Sequence, residues 1–249
     1  MGRLFNMDNK FFTFMGKVAD LIILNLICVL CCLPIVTIGP SLTALHYVTM
    51  KMVRNEESYI VKNFFKSFKE NFKQATIINL IMLVVGIMLF LDINIVKRMS
   101  GKLYSGLFVV FIAFLLLYML VFLYIYPVLA KFYNTIKHTF INAFLMSIRH
   151  LPYTFVMLVI TLLPIGIFFI PSLQLQSTCL MLLLIMGPAV IAYLNGHFLV
   201  RIFDNYIPKE EDAQEETLSD EALPENTFTE NPLAKNTTAE DSKTGNDPV

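Results

Sequence analysis

Apolar residues fall into five long stretches along this chain, and each stretch is nearly free of charged residues. A helix needs about 20 apolar residues to cross the ~30 Å hydrocarbon core of a bilayer. The pattern therefore predicts an all-α polytopic membrane helix bundle with five transmembrane helices, accompanied by interfacial amphipathic helices. The predicted spans cover residues 18–38, 76–96, 103–130, 151–171 and 175–200.

Basic residues in the connecting segments predict how this bundle is oriented. The loops at 39–75 and 131–150, with the start of the tail, hold eleven Lys and Arg residues, against six on the opposite side. Short loops rich in Lys and Arg remain on the cytoplasmic side of a membrane. We therefore expect a multi-pass protein of the cell (cytoplasmic) membrane with its N-terminus outside and its C-terminus inside.

The 39–75 loop contains a second pattern, between Tyr59 and Gln74. Apolar residues recur there at steps of three and four, which places them on one helical face. They are Val61, Phe64, Phe65, Phe68 and Phe72, and an adjoining face carries Lys62, Lys66, Lys69 and Lys73. Such a helix is predicted to lie in the membrane interface, with its rings among acyl chains and its ammonium groups near anionic headgroups. A helix without a specific partner and a docking surface for another protein are both open interpretations.

The residues after the last span differ in composition from the rest. The whole chain is 56% hydrophobic and 15% charged, against roughly 25% charged residues in average soluble domains. Its net charge of zero combines +9 in residues 1–206 with −9 in residues 207–249. An acidic segment poor in apolar residues does not bury enough surface to fold. We therefore expect a membrane domain at 1–206 and an acidic, disordered cytoplasmic tail at 207–249.

Polar residues within the spans are few, and they form no recognisable catalytic group. Asn25, Asn79 and Asn195 are a candidate polar path for a solute. Hydrogen bonding between helices explains the same residues at least as well. The sequence has no phosphate-binding glycine loop, zinc-ligand spacing or nucleophile–base pair. We therefore expect no enzymatic activity, no cofactor, no bound metal and no nucleic-acid partner.

A weak internal repeat places a proline at comparable points of three segments. The segments read Gly39-Pro40 before Ala44 and Tyr47, Tyr126-Pro127 before Ala130 and Tyr133, and Gly187-Pro188 before Ala192-Tyr193. Chance similarity among apolar sequences is the alternative explanation. A true repeat predicts that spans 1, 3 and 5 run in the same direction.

Several short motifs resemble the bacterial YesL family. They are Leu33-Pro34-Ile35-Val36-Thr37-Ile38-Gly39-Pro40, preceded by Leu21 and Asn25 and followed by Ala44-Leu45 and Tyr47-Val48, with further matches at Tyr126-Pro127 and Arg149-His150-Leu151-Pro152. The chain departs from the family at Cys28, where members tend to have Trp. The resemblance implies a small multi-pass protein of the cytoplasmic membrane, with relatives encoded near sugar-importing ABC transporters. It implies no known activity, so no functional residue is carried over.

Two functions are consistent with these patterns. The first is a membrane accessory protein linked to ABC-type carbohydrate uptake or its regulation, with the lipid bilayer and either ABC sugar transporter subunits or a membrane sensor as partners. The second is a small-solute permease that acts as a dimer. The first hypothesis depends on the basic loops and the resemblance, and the second depends on the polar residues within the spans.

Overall fold

Seven α-helices make up the part of the chain that the structure, a computed structural model, describes: residues 10–56, 59–98 and 102–206. The helices are α1 Lys10–Cys31, α2 Ile38–Val53, α3 Ile60–Val96, α4 Lys102–Lys131, α5 Ile136–Arg149, α6 Leu151–Leu162 and α7 Leu173–Asp204. Short 3-10 segments precede α2 at Ile35–Thr37 and extend α6 at Leu163–Phe169. These described ranges contain no β-strand, so the predicted all-α fold is confirmed. The predicted tail at 207–249 lies outside the described residues.

Five helical segments are long and apolar enough to cross a membrane, as the apolar pattern predicts. They are Phe11–Cys31, Ile60–Val96, Gly106–Lys131, Leu151–Phe169 and Leu173–Asp204. In each segment, no more than 22% of the most apolar window is buried inside the protein. So many exposed apolar side chains suit a hydrocarbon solvent, and the chain is a multi-pass membrane protein.

The first predicted span, 18–38, has the wrong boundaries. α1 begins earlier, at Lys10, and ends at Cys31. Pro34 has extended backbone, with φ −77° and ψ 130°, and leads into the 3-10 segment. A proline also keeps the residue before it out of the helical region. The chain therefore turns here, within the stretch that the apolar pattern assigns to a single helix.

The predicted connecting segment at 39–75 is largely helical, as the amphipathic pattern at 59–74 predicts, but its second helix is not separate from the next span. α2 forms its first part, and α3 then runs without a break into the predicted second span. Between them, Asn55 has a left-handed φ of 55°. The amide groups of Asn55 and Glu56 donate to the carbonyls of Met52 and Lys51 at 3.2 and 3.0 Å. This pair of bonds around a left-handed residue is a common helix ending, and it turns the chain from α2 toward α3.

α1 and α2 form an antiparallel hairpin. Near its turn, the Cys28 thiol lies 3.8 Å from the Ser41 carbonyl oxygen. At its open end, Lys17 Nζ donates to Asn55 Oδ1 at 2.6 Å. α2 is therefore a helix that reverses the chain between the first two predicted spans.

The beginning of α1 and the end of α7 lie at the same end of the bundle. Arg54, which follows α2, pairs with Asp204, the last residue of α7. Lys17 of α1 bonds to the neighbouring Asn55. Five alternating spans would place these two helix ends on opposite sides of the membrane. The predicted placement of the start of α1 and the end of α7 on opposite sides is therefore wrong. The physical reason is the extra reversal by α2.

The three helices that carry the repeated proline motif run in the same direction. α2 and α7 are parallel, since Thr49 faces Gly196 and Arg54 pairs with Asp204. α4 is parallel to both, because it is antiparallel to α3, which is antiparallel to α2. The prediction that spans 1, 3 and 5 are parallel is therefore wrong for span 1. The first motif belongs to the start of α2 rather than to the end of α1.

Buried residues are concentrated in one part of the molecule. We call residues 10–79, 123–156 and 187–206 the core half, and residues 80–122 and 157–186 the distal half. All the buried polar residues that the structure describes belong to the core half: Asn25, Ser41, Thr43, Thr49, Ser67, Asn79, Thr139, Ser147, Thr154 and Asn195. Among the described residues of the distal half, only Met82, Val96 and Met157 are buried. The core half therefore holds the packed interior of the protein.

Candidate functional site

The first half of α3 has an outward face that carries the four predicted lysines. We call this face the lysine strip; its exposed residues are Lys62, Phe65, Lys66, Lys69, Phe72 and Lys73. Phe65 and Phe72 expose 41% and 37% of their surface. With 37 residues, α3 is about 55 Å long, nearly twice the hydrocarbon thickness of a bilayer. The lysine strip therefore lies on the part of α3 that exceeds the length required for a single membrane crossing.

Two residues predicted for this surface face the protein instead. Phe64 is fully buried in a cluster with Leu21 of α1 and Val48 and Met52 of α2. Phe68 is partly buried against the same cluster, and its ring stacks on that of Phe64 at 6.1 Å. The predicted role at an interface is therefore wrong for Phe64, because α2 covers it. A core face and an interfacial face share the same helical spacing, so the sequence pattern did not separate them.

Asn25 completes the hydrogen bonding of α7 where that helix contains a proline. Pro188 has no N–H group to donate to the carbonyl of Leu184, one turn earlier. Asn25 Nδ2 donates to that carbonyl at 2.7 Å, and its Oδ1 accepts from the amide of Ala189 at 3.2 Å. Asn25 is fully buried. It therefore acts as a bridge between α1 and α7.

Asn79 joins three segments at the turn of the α1–α2 hairpin. Its Nδ2 donates to the Ile35 carbonyl at 3.1 Å, and its Oδ1 accepts from the Tyr126 hydroxyl at 3.0 Å. Gly39 packs directly against it, because a Cβ added at Gly39 would lie 2.7 Å from the Asn79 Cβ. Asn79 also borders a cleft of about 340 Å³ between α3 and α4, lined by Tyr118 and Tyr126.

Asn195 joins α7 to α6. Its Nδ2 donates to Thr161 Oγ1 at 3.0 Å, and the Thr161 hydroxyl donates in turn to the Met157 carbonyl at 2.8 Å. Asn195 Oδ1 is buried without a hydrogen-bond partner among the described residues. The three predicted path residues therefore occupy three separate contacts between helices, and each already donates a hydrogen bond there.

Sequence reasoning missed the ionic contact at the open end of the hairpin. Arg54 pairs with Asp204, and Glu56 lies 3.9 Å from the same guanidinium group. Lys131 borders the small cavity beside them. The C-terminal ends of α2, α4 and α7 meet here, and cations are favoured at helix C-termini. Nothing in the sequence signals a contact between residues 150 positions apart.

Comparison with known proteins finds similarity to proteins of unknown function. Residues 21–93 match the family model described as "Protein of unknown function, DUF624". The chain is also similar to the "Uncharacterized protein YesL" of Bacillus subtilis (strain 168), with 25% identity over 140 residues, which covers 56% of this chain and 66% of that protein. The match thus spans just under two thirds of the relative's length, and no solved structure matches the chain. The chain is therefore similar to a YesL-like family whose function is unknown.

Proposed function

We propose that this protein is a non-enzymatic accessory protein of the cell membrane that assists or regulates carbohydrate uptake by an ABC-type transporter. Five apolar helices support the membrane location. The carbohydrate link comes from the resemblance to the YesL family, whereas the contact surface comes from α3. The proposed partners are subunits of the transporter or a membrane sensor.

The lysine strip is the observation that carries this proposal. Lys66 and Lys69 are exposed beside Phe65 and Phe72, which also expose a large part of their rings. Aromatic residues are enriched at protein interfaces, and charged groups at the rim steer and select a partner. The strip therefore suits a partner that offers an apolar patch surrounded by acidic groups.

Site-specific crosslinking tests the proposal in the native host, grown on a carbohydrate. A photo-reactive amino acid at Phe65 or Phe72 should capture a transporter subunit or a sensor, identified by mass spectrometry. The matched control is Phe90, which exposes 68% of its surface in the distal half. The same photo-reactive group at Phe90 should capture lipid only.

Charge reversal separates specific capture from chance collision. Lys66→Glu with Lys69→Glu should lower the yield of the protein crosslink from Phe65 without lowering the amount of folded protein, because both lysines are exposed. Lipid-only products at both Phe65 and Phe72 would contradict the proposal. Unchanged capture after charge reversal would contradict the role of the lysine strip.

A dimeric small-solute permease is the second candidate function. The cleft beside Asn79 favours it, as does Asn195 Oδ1, which has no hydrogen-bond partner within the described part of the chain. Hydrogen bonding of Asn25, Asn79 and Asn195 to neighbouring helices weighs against it. Purified protein in liposomes should then transport a sugar or another small solute, and Asn79→Leu should slow that transport. A broad panel of solutes without measurable flux would remove this candidate.

A further inference from the structure

The α1–α2 hairpin does not extend as far as the helices around it. Its turn lies beside α3, since Asn79 Nδ2 donates to the Ile35 carbonyl at 3.1 Å and the Thr76 hydroxyl donates to the Val36 carbonyl at 3.4 Å. α3 continues from Asn79 for 17 more residues, to its end at Val96, which adds about 25 Å. The hairpin therefore turns back near the middle of the bundle's height.

The turn of the hairpin is apolar and uncovered. Leu33, Ile35 and Val36 expose 76%, 64% and 58% of their surface. Between Asp20 and Lys51 the chain has no Asp, Glu, Lys or Arg. A turn that has exposed apolar side chains and no charge fits hydrocarbon better than an aqueous face. The turn is therefore suited to end inside the bilayer.

The hairpin is also well supported from within the protein. α2 lies between α1, α3, α4 and α7, and most of its residues are buried. Its polar side chains Ser41 and Thr43 donate to carbonyls of the preceding turn, Thr37 and Gly39, at 2.7 and 2.9 Å. Irregular backbone at membrane depth is tolerated where the protein satisfies its polar groups, and the turn carbonyls of Ile35 and Val36 accept hydrogen bonds from Asn79 and Thr76.

Basic residues distinguish the two halves of the molecule. The core half has twelve Lys and Arg residues and five Asp and Glu residues, whereas the distal half has three and one. The basic residues of the distal half are Lys97, Arg98 and Lys102, at the connection from α3 to α4. An excess of Lys and Arg marks the cytoplasmic side of a membrane protein. Once α2 is recognised as a reversal, this excess is larger than the sequence-based count of eleven against six.

We infer that α1 and α2 form a re-entrant hairpin that enters and leaves the membrane on the cytoplasmic side. The start of α1, the link from α2 to α3, α5 and the end of α7 then form one basic surface against the anionic headgroups of the inner leaflet. α3, α4, α6 and α7 cross the bilayer. This inference goes beyond the proposed function, because the side on which the hairpin lies does not depend on a protein partner.

Cysteine accessibility tests the placement of the hairpin. The four native cysteines, which are free, are replaced by alanine: Cys28, Cys31, Cys32 and Cys179. Single cysteines are then introduced at four exposed positions: Phe11, Leu33, Arg98 and Tyr133. Because these side chains are exposed, the substitutions remove no buried contact. Each variant is compared with its parent for expression and for monodispersity in mild detergent.

The inference predicts a different labelling result at each end and at the turn. In intact cells, a membrane-impermeant maleimide should label Arg98→Cys and leave Phe11→Cys and Tyr133→Cys unlabelled. Permeabilised cells should show labelling of Phe11→Cys and Tyr133→Cys. Leu33→Cys should react only with a lipid-soluble maleimide.

Three outcomes would overturn the inference. Labelling of Phe11→Cys in intact cells would mean that α1 starts outside. Labelling of Leu33→Cys by the impermeant reagent would mean that the turn reaches water. Labelling of Tyr133→Cys, but not Arg98→Cys, in intact cells would reverse the orientation.

A separate measurement tests the inferred contact with lipid headgroups. Phosphatidylglycerol added to protein in mild detergent should raise its Tm more than phosphatidylcholine does. The combined variant Lys137→Glu and Arg201→Glu should reduce that difference, because it reverses exposed charges on α5 and near the end of α7. Equal shifts with the two lipids would overturn the headgroup contact, whatever partner the crosslinking identifies.

Discussion

The core half and the distal half contain parts of the same long helices, yet they are packed in different ways. In the core half, large side chains such as Tyr124, Ile125 and Phe203 are completely or almost completely buried. In the distal half, Phe90 and Leu184 expose 68% and 63% of their surface. One half therefore has a protein interior, while the other offers most of its apolar surface to the surrounding solvent.

This difference shows which interactions hold each half together. Lipid tails are as apolar as leucine, so helices in a bilayer gain little from burying apolar surface against each other. Close packing of small residues and hydrogen bonds between helices then provide specificity. In this protein Gly39, Asn25 and Asn79 of the core half provide several of those contacts, whereas the hydrogen bond from Tyr118 to Met82 is an example in the distal half. Substitutions in the core half should therefore have larger effects than matched substitutions in the distal half.

The largest effect is expected for Gly39→Ala. The added Cβ would lie 2.7 Å from the Asn79 Cβ and 3.0 Å from the Ala75 carbonyl carbon, and the α3 backbone does not move aside easily. Overpacking of this kind lowers the free energy of unfolding by about 1–3 kcal/mol. The measurement is thermal unfolding in mild detergent.

Gly166→Ala is the matched control for this substitution. A Cβ added there meets nothing within 4 Å, and Gly166 belongs to the distal half. Its Tm should remain close to that of the parent. Equal losses of stability in the two variants would remove the distinction between the halves.

The next effect is expected for Asn25→Ala. It leaves the Leu184 carbonyl without its donor, because Pro188 supplies none. An unpaired buried group of this kind lowers the free energy of unfolding by about 1–3 kcal/mol. In a Pro188→Ala background the new N–H can bond to Leu184, so Asn25→Ala should have a smaller effect there. A double-mutant cycle without coupling between the two positions would contradict this account.

A smaller effect is expected for Tyr126→Phe. Loss of its hydroxyl removes the donor to Asn79 Oδ1, and the expected change in the free energy of unfolding is about 1 kcal/mol. Tyr118→Phe is the control, because its hydroxyl bonds to the Met82 carbonyl within a helix. That carbonyl keeps its helical bond when the hydroxyl is removed. A lower Tm for Tyr118→Phe than for Tyr126→Phe would be inconsistent with this reasoning.

The smallest effect is a pH dependence from His150, between α5 and α6. Desolvation, with a contribution from Arg149, lowers the pKa of His150 from its ordinary value of 6.5. The unfolded chain therefore takes up this proton first as the pH falls, so stability decreases below about pH 6.5. The measurement is Tm between about pH 7.5 and 5.5. His150→Asn should show a weaker decrease, and a steeper decrease would show that the sign is wrong.

Several features of the fold and the candidate site were predictable from local pattern. The long apolar runs predicted the helices that can cross a membrane. The spacing of Lys62, Lys66, Lys69 and Lys73 predicted one exposed strip. Both predictions need only helical geometry and the solvent preference of single side chains. The same reasoning did not distinguish the buried Phe64 from the exposed Phe65. α3 has one apolar side that faces the protein and another that faces outward, and each side carries phenylalanine.

α2 shows why other features were not predictable. It has 16 residues, with Ser41, Thr43, His46 and Thr49 among its apolar positions, so it has neither the length nor the uniformity of a span. Its environment is created by four other helices that pack around it. The helix directions, and with them the side on which α1 begins, depend on this one buried element.

The sequence by itself determined that the chain is helical, that five segments are apolar enough for a bilayer, and that the cations concentrate on part of α3. These properties follow from each segment's own composition and period. Only the tertiary structure decided that the chain reverses at α2, that Asn25 and Asn79 are bridges between helices, and that Phe64 belongs to the core. Those outcomes depend on contacts between distant segments, and a side chain's neighbours are fixed only when the helices pack.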